Sequence, residues 1–325
     1  MNTWLEALHD AWNELAEITP VSRQYRSRLL STEVSLEIRA GMRAADDAPC
    51  LILPFRLPPQ ALFELGGMRL SSIPDDTGPL LILSLEDSAR RDLFSTICAD
   101  VVTTAARADR GHALDHFLDR LDAWRQFLRD HQDGLSRAET IGLIGEVLVL
   151  QQLLKRDMRS LSTWESPTDG LHDFQISGHA LEVKTGLGPS STISISKLDQ
   201  LDTSGLHRLD LLHVRLIESP DGRCLGDIVV ETSALMPDDT ARNALGNALL
   251  RRGLLPNDDF ARNAPRIELR TIDAYAITEG FPRLIRSELP LAIAEASYSL
   301  EIRAISAFAE NLEPVLEAFN RGAQS

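Results

Sequence analysis

The sequence predicts an α/β protein, and three observations predict it. The first third carries short apolar or β-branched runs broken by Asp and Pro, residues 139–154 form an apolar stretch of helical length, and Ser177-Gly178 makes a tight turn between two short alternating segments. The expected organisation is an N-terminal α+β module over 1–110, a core with its leading helices over 111–219, and a C-terminal α/β extension over 220–325. A chain of 325 residues is long enough for such parts to bury their own cores.

The opening segment, MNTWLEALHDAWNELAE, threads acidic residues through an apolar pattern and predicts an amphipathic helix, not a secretion signal. Strands are expected at 33–43, 48–57 and 79–87, separated by turns such as Ile73-Pro74-Asp75-Asp76. Residues 88–107 and 111–129 show apolar side chains at helical spacing, and 130–137 reads as a loop. Beyond the core, strands are expected at 211–219 (ended by Pro220-Asp221-Gly222), 226–233, 266–277 and 297–306. Helices are expected at 241–253 and at the C-terminal end, to Phe319.

The chemistry concentrates around the Ser177-Gly178 turn. A two-residue hairpin loop there pairs Ile176 with His179, Phe174 with Leu181, and sets Asp173 opposite Glu182. Side chains alternate across a strand, so Asp173, Glu182 and Lys184 share one face while Phe174, Ile176, Leu181 and Val183 take the other. Two neighbouring carboxylates repel unless a proton or a cation relieves them, and a divalent metal is the natural reliever. A solvated hairpin face with Lys184 as a cross-strand salt-bridge partner is the bland reading.

Upstream, Glu146 lies in the middle of the apolar 139–154 run. A carboxylate in a core helix needs a partner or a metal, unless it sits at the helix edge, and the nearby Gly142 and Gly145 let another backbone approach. Downstream, ISISKLDQL ends a β-branched run at Ser196, a residue suited to cap a following helix with Asp199 in its first turn. Gln200 lies one turn on, where its amide could reach a phosphate or a metal cluster.

The order Glu146, Asp173, Glu182-x-Lys184, then Ser196 and Gln200 resembles the PD-(D/E)XK superfamily, the restriction-endonuclease-like fold. More narrowly, the TWESP, HDF, LEVKT and ISKLDQL segments resemble a family of PD-(D/E)XK proteins found among bacterial restriction and phage-defence genes. One departure is His172, where the superfamily name has proline. The resemblance implies a central mixed β-sheet flanked by helices and Mg²⁺-dependent hydrolysis of DNA, with Mn²⁺ able to substitute. Asp173, Glu182, the Val183 carbonyl and Glu146 would hold metal, with Lys184 as the proton-handling residue. It also implies companions such as a methyltransferase or an ATPase, and a homo-oligomer is admitted.

Composition limits this reading. A net charge of −15 argues against DNA gripped by phosphate neutralisation alone. Local basic candidates are Lys155, Arg156, Arg159 and Lys197, which read equally as solvated charges. Arg251, Arg252, Arg262, Arg266 and Arg270 make a further DNA-facing or partner-facing set. Cys50, Cys98 and Cys224 are too few and too widely spaced for a disulfide framework or a metal motif, and no stretch has membrane-spanning length, so a reducing cytoplasm is expected. His112 and His116 lie one helical turn apart without a third ligand nearby and are expected to be ordinary surface or core histidines.

Overall fold

The computed structural model describes residues 3–18, 24–31, 35–55, 62–75, 78–109, 111–131, 134–256, 261–262 and 264–322. Parts of the expected strands (33–34 and 56–57), Asp76 of the expected turn and residues 132–133 of the expected loop lie outside them. In chain order the elements are α1 (Thr3–Ala16), β1 (Tyr25–Leu29), β2 (Arg39–Arg43), β3 (Pro49–Pro54), β4 (Phe63–Leu65), β5 (Met68–Ile73), β6 (Leu80–Leu85), α2 (Arg91–Arg107), α3 (Ala113–Asp130) and α4 (Arg137–Leu154). They continue with β7 (Phe174–Ile176), β8 (His179–Leu187), β9 (Thr192–Ile195), β10 (Arg208–Arg223), α5 (Leu225–Ala234), α6 (Asp239–Arg251), β11 (Ile267–Ala276), β12 (Tyr298–Glu301), β13 (Ala309–Glu310) and a closing helix, Leu312–Gly322.

These form two compact units, 1–133 with 239–256, and 134–238 with 257–325. The first carries an antiparallel sheet in the order β1-β2-β3-β6-β5-β4, whose apolar face packs with α1, α2 and α3 around Trp12, Phe94, Phe117 and Trp124. These units do not coincide with the expected division at 110 and 219. Helix α3 belongs here because Asp100 of α2 accepts hydrogen bonds from Arg120 (2.6 Å) and Trp124 (2.7 Å) of α3. Arg120 then donates to Asn247 of α6 at 3.1 Å, fixing the 239–256 segment in the same unit. His116 likewise contacts Asn243 of α6 through its ring nitrogen at 3.0 Å.

The second unit is built on a mixed sheet in the order β13-β11-β10-β8-β7, with β8 and β10 parallel and the remaining pairs antiparallel. A separate ribbon pairs β9 with β12. The expected mixed α/β architecture is present, and the supposed C-terminal extension supplies core strands: β11 runs along nearly the whole of β10. A buried polar network ties this sheet together. Asp210, fully buried, lies 2.7 Å from His179 Nε2 and accepts from Arg208, which also donates to Glu310 of β13.

Three local expectations fail, one because the strand expected at 297–306 ends at Glu301. Residues 226–233 form helix α5 instead of a strand, despite their β-branched run. Asp227 accepts the Cys224 N–H at the helix start, and Gln151 of α4 donates to Ile228 O and Thr232 Oγ1, so tertiary packing overrides propensity. Pro220-Asp221-Gly222 does not end a strand but bulges out of the long β10, with Glu218 and Arg223 both opposite Ile267. Gly222 is required there, since a Cβ would fall 2.5 Å from the Ile267 carbonyl oxygen.

Candidate metal centre

Helix α4 starts with a capping box: Ser136 Oγ accepts from Glu139 N (3.3 Å), and the Glu139 carboxylate accepts from Ser136 N (2.8 Å). Its apolar residues are buried on nearly every side, as the sequence implied. Gly145 brings it close to β8, because a Cβ at that position would sit 1.9 Å from Thr185 Oγ1. Gly142 has no such contact within 4 Å. Glu146 is therefore held beside the sheet, 5 % exposed, with one oxygen accepting the Trp164 indole N–H at 3.0 Å.

The hairpin has the expected register: Ile176 pairs with His179, Gln175 with Ala180 and Phe174 with Leu181. Ser177 and Gly178 both have positive φ (47° and 78°), the signature of a type I′ turn. Asp173 lies one step beyond the β7 ladder, and its Oδ2 accepts the Val183 N–H at 2.7 Å. The carboxylate thus takes the place of the strand partner that β7 no longer provides. In a strand, one residue's N–H and C=O project to the same edge, so the Val183 carbonyl also lies on the edge that Asp173 occupies.

Glu182 is buried, and Lys184 Nζ donates to its Oε1 at 2.7 Å, which places the two side chains on one face. Asp173 keeps an accessible edge, yet its surroundings are dense enough that burial leads the causes raising its pKa well above the carboxylate range. The charges of Glu182 and Glu146 add to the rise. Burial also pushes Glu182 up to about 7, opposed by Lys184 and Lys197 and reinforced by Glu146. The Glu146 charge therefore disfavours ionisation of both Asp173 and Glu182, Glu182 that of Asp173 as well, and the site is short of positive charge.

The third feature differs from expectation. Residues 198–201 form a single 3₁₀ turn whose cap position is Lys197, not Ser196. Gln200 folds back, its Oε1 accepting from Ser196 N (3.1 Å), Ser196 Oγ (3.1 Å) and Lys197 N (3.3 Å), and so shapes this loop. Lys197 is exposed and close enough to Glu182 to lower its pKa, so it belongs to the site's electrostatic surroundings. His172 is buried, and burial lowers its pKa.

Several other candidate cations are already engaged. Arg156 pairs with Glu313 and donates to Gln152 O, Arg159 pairs with Asp157 at 2.7 Å, and Arg266 with Asp227 at 3.5 Å. Lys155 caps α4 nine residues past Glu146, roughly 14 Å along the axis at 1.5 Å per residue. It and Arg156 mark the far end of that helix. In the first unit, Arg251 pairs with Asp122 at 3.4 Å.

Sequence reasoning gave no role to Trp164, although TWESP contains it. Its indole is a donor suited to a buried carboxylate, a signal legible only once Glu146 is known to be buried nearby. It also missed Tyr298, which β12 brings near enough for Lys184 to lower its pKa, though burial dominates and the net shift is upward.

Among the described residues no three His, Cys, Asp or Glu side chains form a ready-made ligand group. The donors still fit Mg²⁺, which binds through one or two carboxylates and retains several waters. Asp173 and Glu182, with the Val183 carbonyl, make such a set of hard oxygens, and their raised pKa values mark a place where added positive charge is favourable. No helix among the described residues is long and apolar enough to cross a membrane.

A family model with the description "Putative PD-(D/E)XK family member, (DUF4420)" matches residues 8–303. No curated protein and no solved structure matches the chain.

Proposed function

We propose, on the premise that the chain belongs to this PD-(D/E)XK family, that it is a Mg²⁺-dependent DNA endonuclease acting in a bacterial restriction or phage-defence system. The observation that carries the reading is Asp173 one residue beyond the β7–β8 ladder with its carboxylate on the Val183 N–H, beside Glu182 with Lys184 on its carboxylate. Asp173, Glu182 and the Val183 carbonyl would hold the cation, and Glu146 would hold a second ion or a bound water. When bound, Mg²⁺ (or Mn²⁺) supplies Lewis-acid polarisation of a phosphoryl oxygen and a water of lowered pKa.

The chain's own groups do the rest. Lys184, now donating to Glu182, would orient an attacking water; once it has given its proton to solvent it would deprotonate that water, and the ammonium so restored would offset charge growing on the phosphoryl oxygens. Lys197, exposed and acting on Glu182, would meet a backbone phosphate. Ser196 and Gln200 set the loop that carries it.

Net charge favours a second reading, a DNA-binding or assembly subunit that uses the fold without turnover, because −15 opposes unaided DNA binding and several candidate arginines are paired with carboxylates. Incubating the purified chain with plasmid DNA separates the two. Nicked or linear product with Mg²⁺ or Mn²⁺ but not with chelator supports the nuclease. Retarded but intact DNA under the same conditions supports the subunit. Companion proteins such as a methyltransferase or an ATPase, and assembly with further copies of the chain in the cytoplasm, belong to the same proposal.

A further inference from the structure

Trp164 occupies a position that neither the hairpin nor helix α4 explains alone. Its backbone is fastened to the Asp173 segment: Trp164 forms an isolated antiparallel bridge with Phe174, and the next two residues, Glu165 and Ser166, donate their N–H groups to the Asp173 carbonyl at 2.9 and 3.3 Å. The loop between closes tightly, with Asp169 in the left-handed region and Gly170 where a Cβ would fall 2.5 Å from the Glu165 Cβ. The Trp164 ring stacks on Phe174, centroids 6.4 Å apart and planes 17° from parallel. Its indole N–H reaches the other way, to Glu146 Oε2 on α4.

One residue therefore joins the backbone that carries Asp173 to the side chain of Glu146. The bond is buried at both ends, each residue being 5 % exposed, so water does not compete for it. A Trp used only to fill a core would bury its N–H against any acceptor; here the acceptor is a carboxylate whose charge acts on Asp173 and Glu182.

We infer that Trp164 is a positioning residue of the metal centre: its indole N–H fixes the Glu146 carboxylate relative to Asp173 and so sets the site's affinity for a divalent cation. The inference deepens the nuclease reading and rests on it. Groups that orient a metal-binding side chain typically change metal affinity by about 10- to 100-fold when removed, and that range is expected here.

The test uses the full chain and Mg²⁺ alone. Binding is measured by calorimetry for wild type, Trp164→Phe, Glu146→Ala and the double variant, with intrinsic fluorescence followed in the same titrations. Phenylalanine keeps an aromatic ring against Phe174 and removes the N–H with part of the indole's volume, a packing loss common to both backgrounds. Trp164→Phe should weaken Mg²⁺ binding by about ten-fold or more while adding nothing in the Glu146→Ala background, which has no acceptor for the indole N–H, since the bond's effect is exerted through Glu146. The chain's other tryptophans, Trp4, Trp12 and Trp124, lie in the first unit. Mg²⁺ should thus change the wild-type emission over the same concentrations as the heat signal, and Glu146→Ala should abolish that change even if Trp164→Phe proves too unstable to study.

Equal Mg²⁺ affinity in wild type and Trp164→Phe would overturn the inference and leave the nuclease reading intact. So would an effect of the same size in both backgrounds, which marks a packing role. A wild type that takes up no Mg²⁺ would overturn the metal reading itself, and this inference with it.

Discussion

Lys184 Nζ lies 2.7 Å from Glu182 Oε1, two residues apart on one strand and on one face of it. The pair is mostly shielded from water, Glu182 more than Lys184, with side-chain exposures of 2 % and 16 %. Such a contact is worth more than a surface ion pair, and its loss leaves a buried carboxylate without its nearest cation. Lys184→Ala should therefore reduce DNA cleavage by about 10²- to 10⁴-fold, the usual cost of losing a proton-handling group. Circular dichroism should show an unchanged fold. Undiminished turnover in the variant would make Lys184 a structural salt-bridge partner only.

Glu182 predicts a pH dependence of stability. Its pKa is about 7 in the folded chain against an ordinary value of 4.5, so folding retains a proton that the unfolded chain releases. Its contribution is fully present below about pH 4.5 and is lost as pH rises through about 7, with a ceiling of roughly 3 kcal/mol. Thermal melts without divalent cation should show this decline, and Glu182→Gln should flatten it. Because the cation competes with that proton, apparent Mg²⁺ affinity should rise over the same interval. A wild-type profile identical to that of Glu182→Gln would contradict the assignment.

Gly145 predicts a steric effect. A methyl group there meets Thr185 Oγ1 at 1.9 Å, so Gly145→Ala must push α4 away from β8, at a cost on the order of 1–3 kcal/mol for an overpacked contact. Glu146 moves with the helix, and Mg²⁺ binding should weaken as well. Adding Thr185→Ala removes the clashing hydroxyl and should recover much of the loss in denaturant melts; no recovery would show that the helix approach is not what Gly145 secures.

Glu146→Gln separates charge from packing. The glutamine can still offer an oxygen to the Trp164 N–H, while one negative charge leaves a site where it raises the pKa of both Asp173 and Glu182. Melting temperature should hold or rise without metal, and the Mn²⁺-induced increase should shrink. Loss of stability by about 1–3 kcal/mol with an undiminished Mn²⁺ response would instead identify Glu146 as a structural partner.

The hairpin was legible because the period of a strand is two and a two-residue turn leaves one register: Ser177-Gly178 alone determined that Phe174 faces Leu181. Glu146 was legible because a charge inside an apolar helix demands an explanation. What the sequence hid was long-range. The 226–233 run looks like a strand until Gln151 of α4 grips its backbone. The return of 239–256 to the first unit depends on Arg120 meeting Asn247, 127 residues away. Lys197 and Gln200 were found as part of the loop, but Gln200's inward fold onto Ser196 depends on a turn one residue later than the serine cap predicted. Trp164 could be given a role only when its distance to Glu146 was known.

The central claim is that Asp173 binds the cation on which DNA cleavage depends. The most direct measurement is single-turnover cleavage of plasmid DNA by wild type and Asp173→Asn, each in Mg²⁺ and in chelator. Asparagine keeps an oxygen for the Val183 N–H at nearly the same volume. The account predicts cleavage only by wild type with Mg²⁺, and loss of both cleavage and calorimetric Mg²⁺ binding in a folded Asp173→Asn. Cleavage by wild type in chelator, or equal Mg²⁺-dependent cleavage by Asp173→Asn, would contradict it.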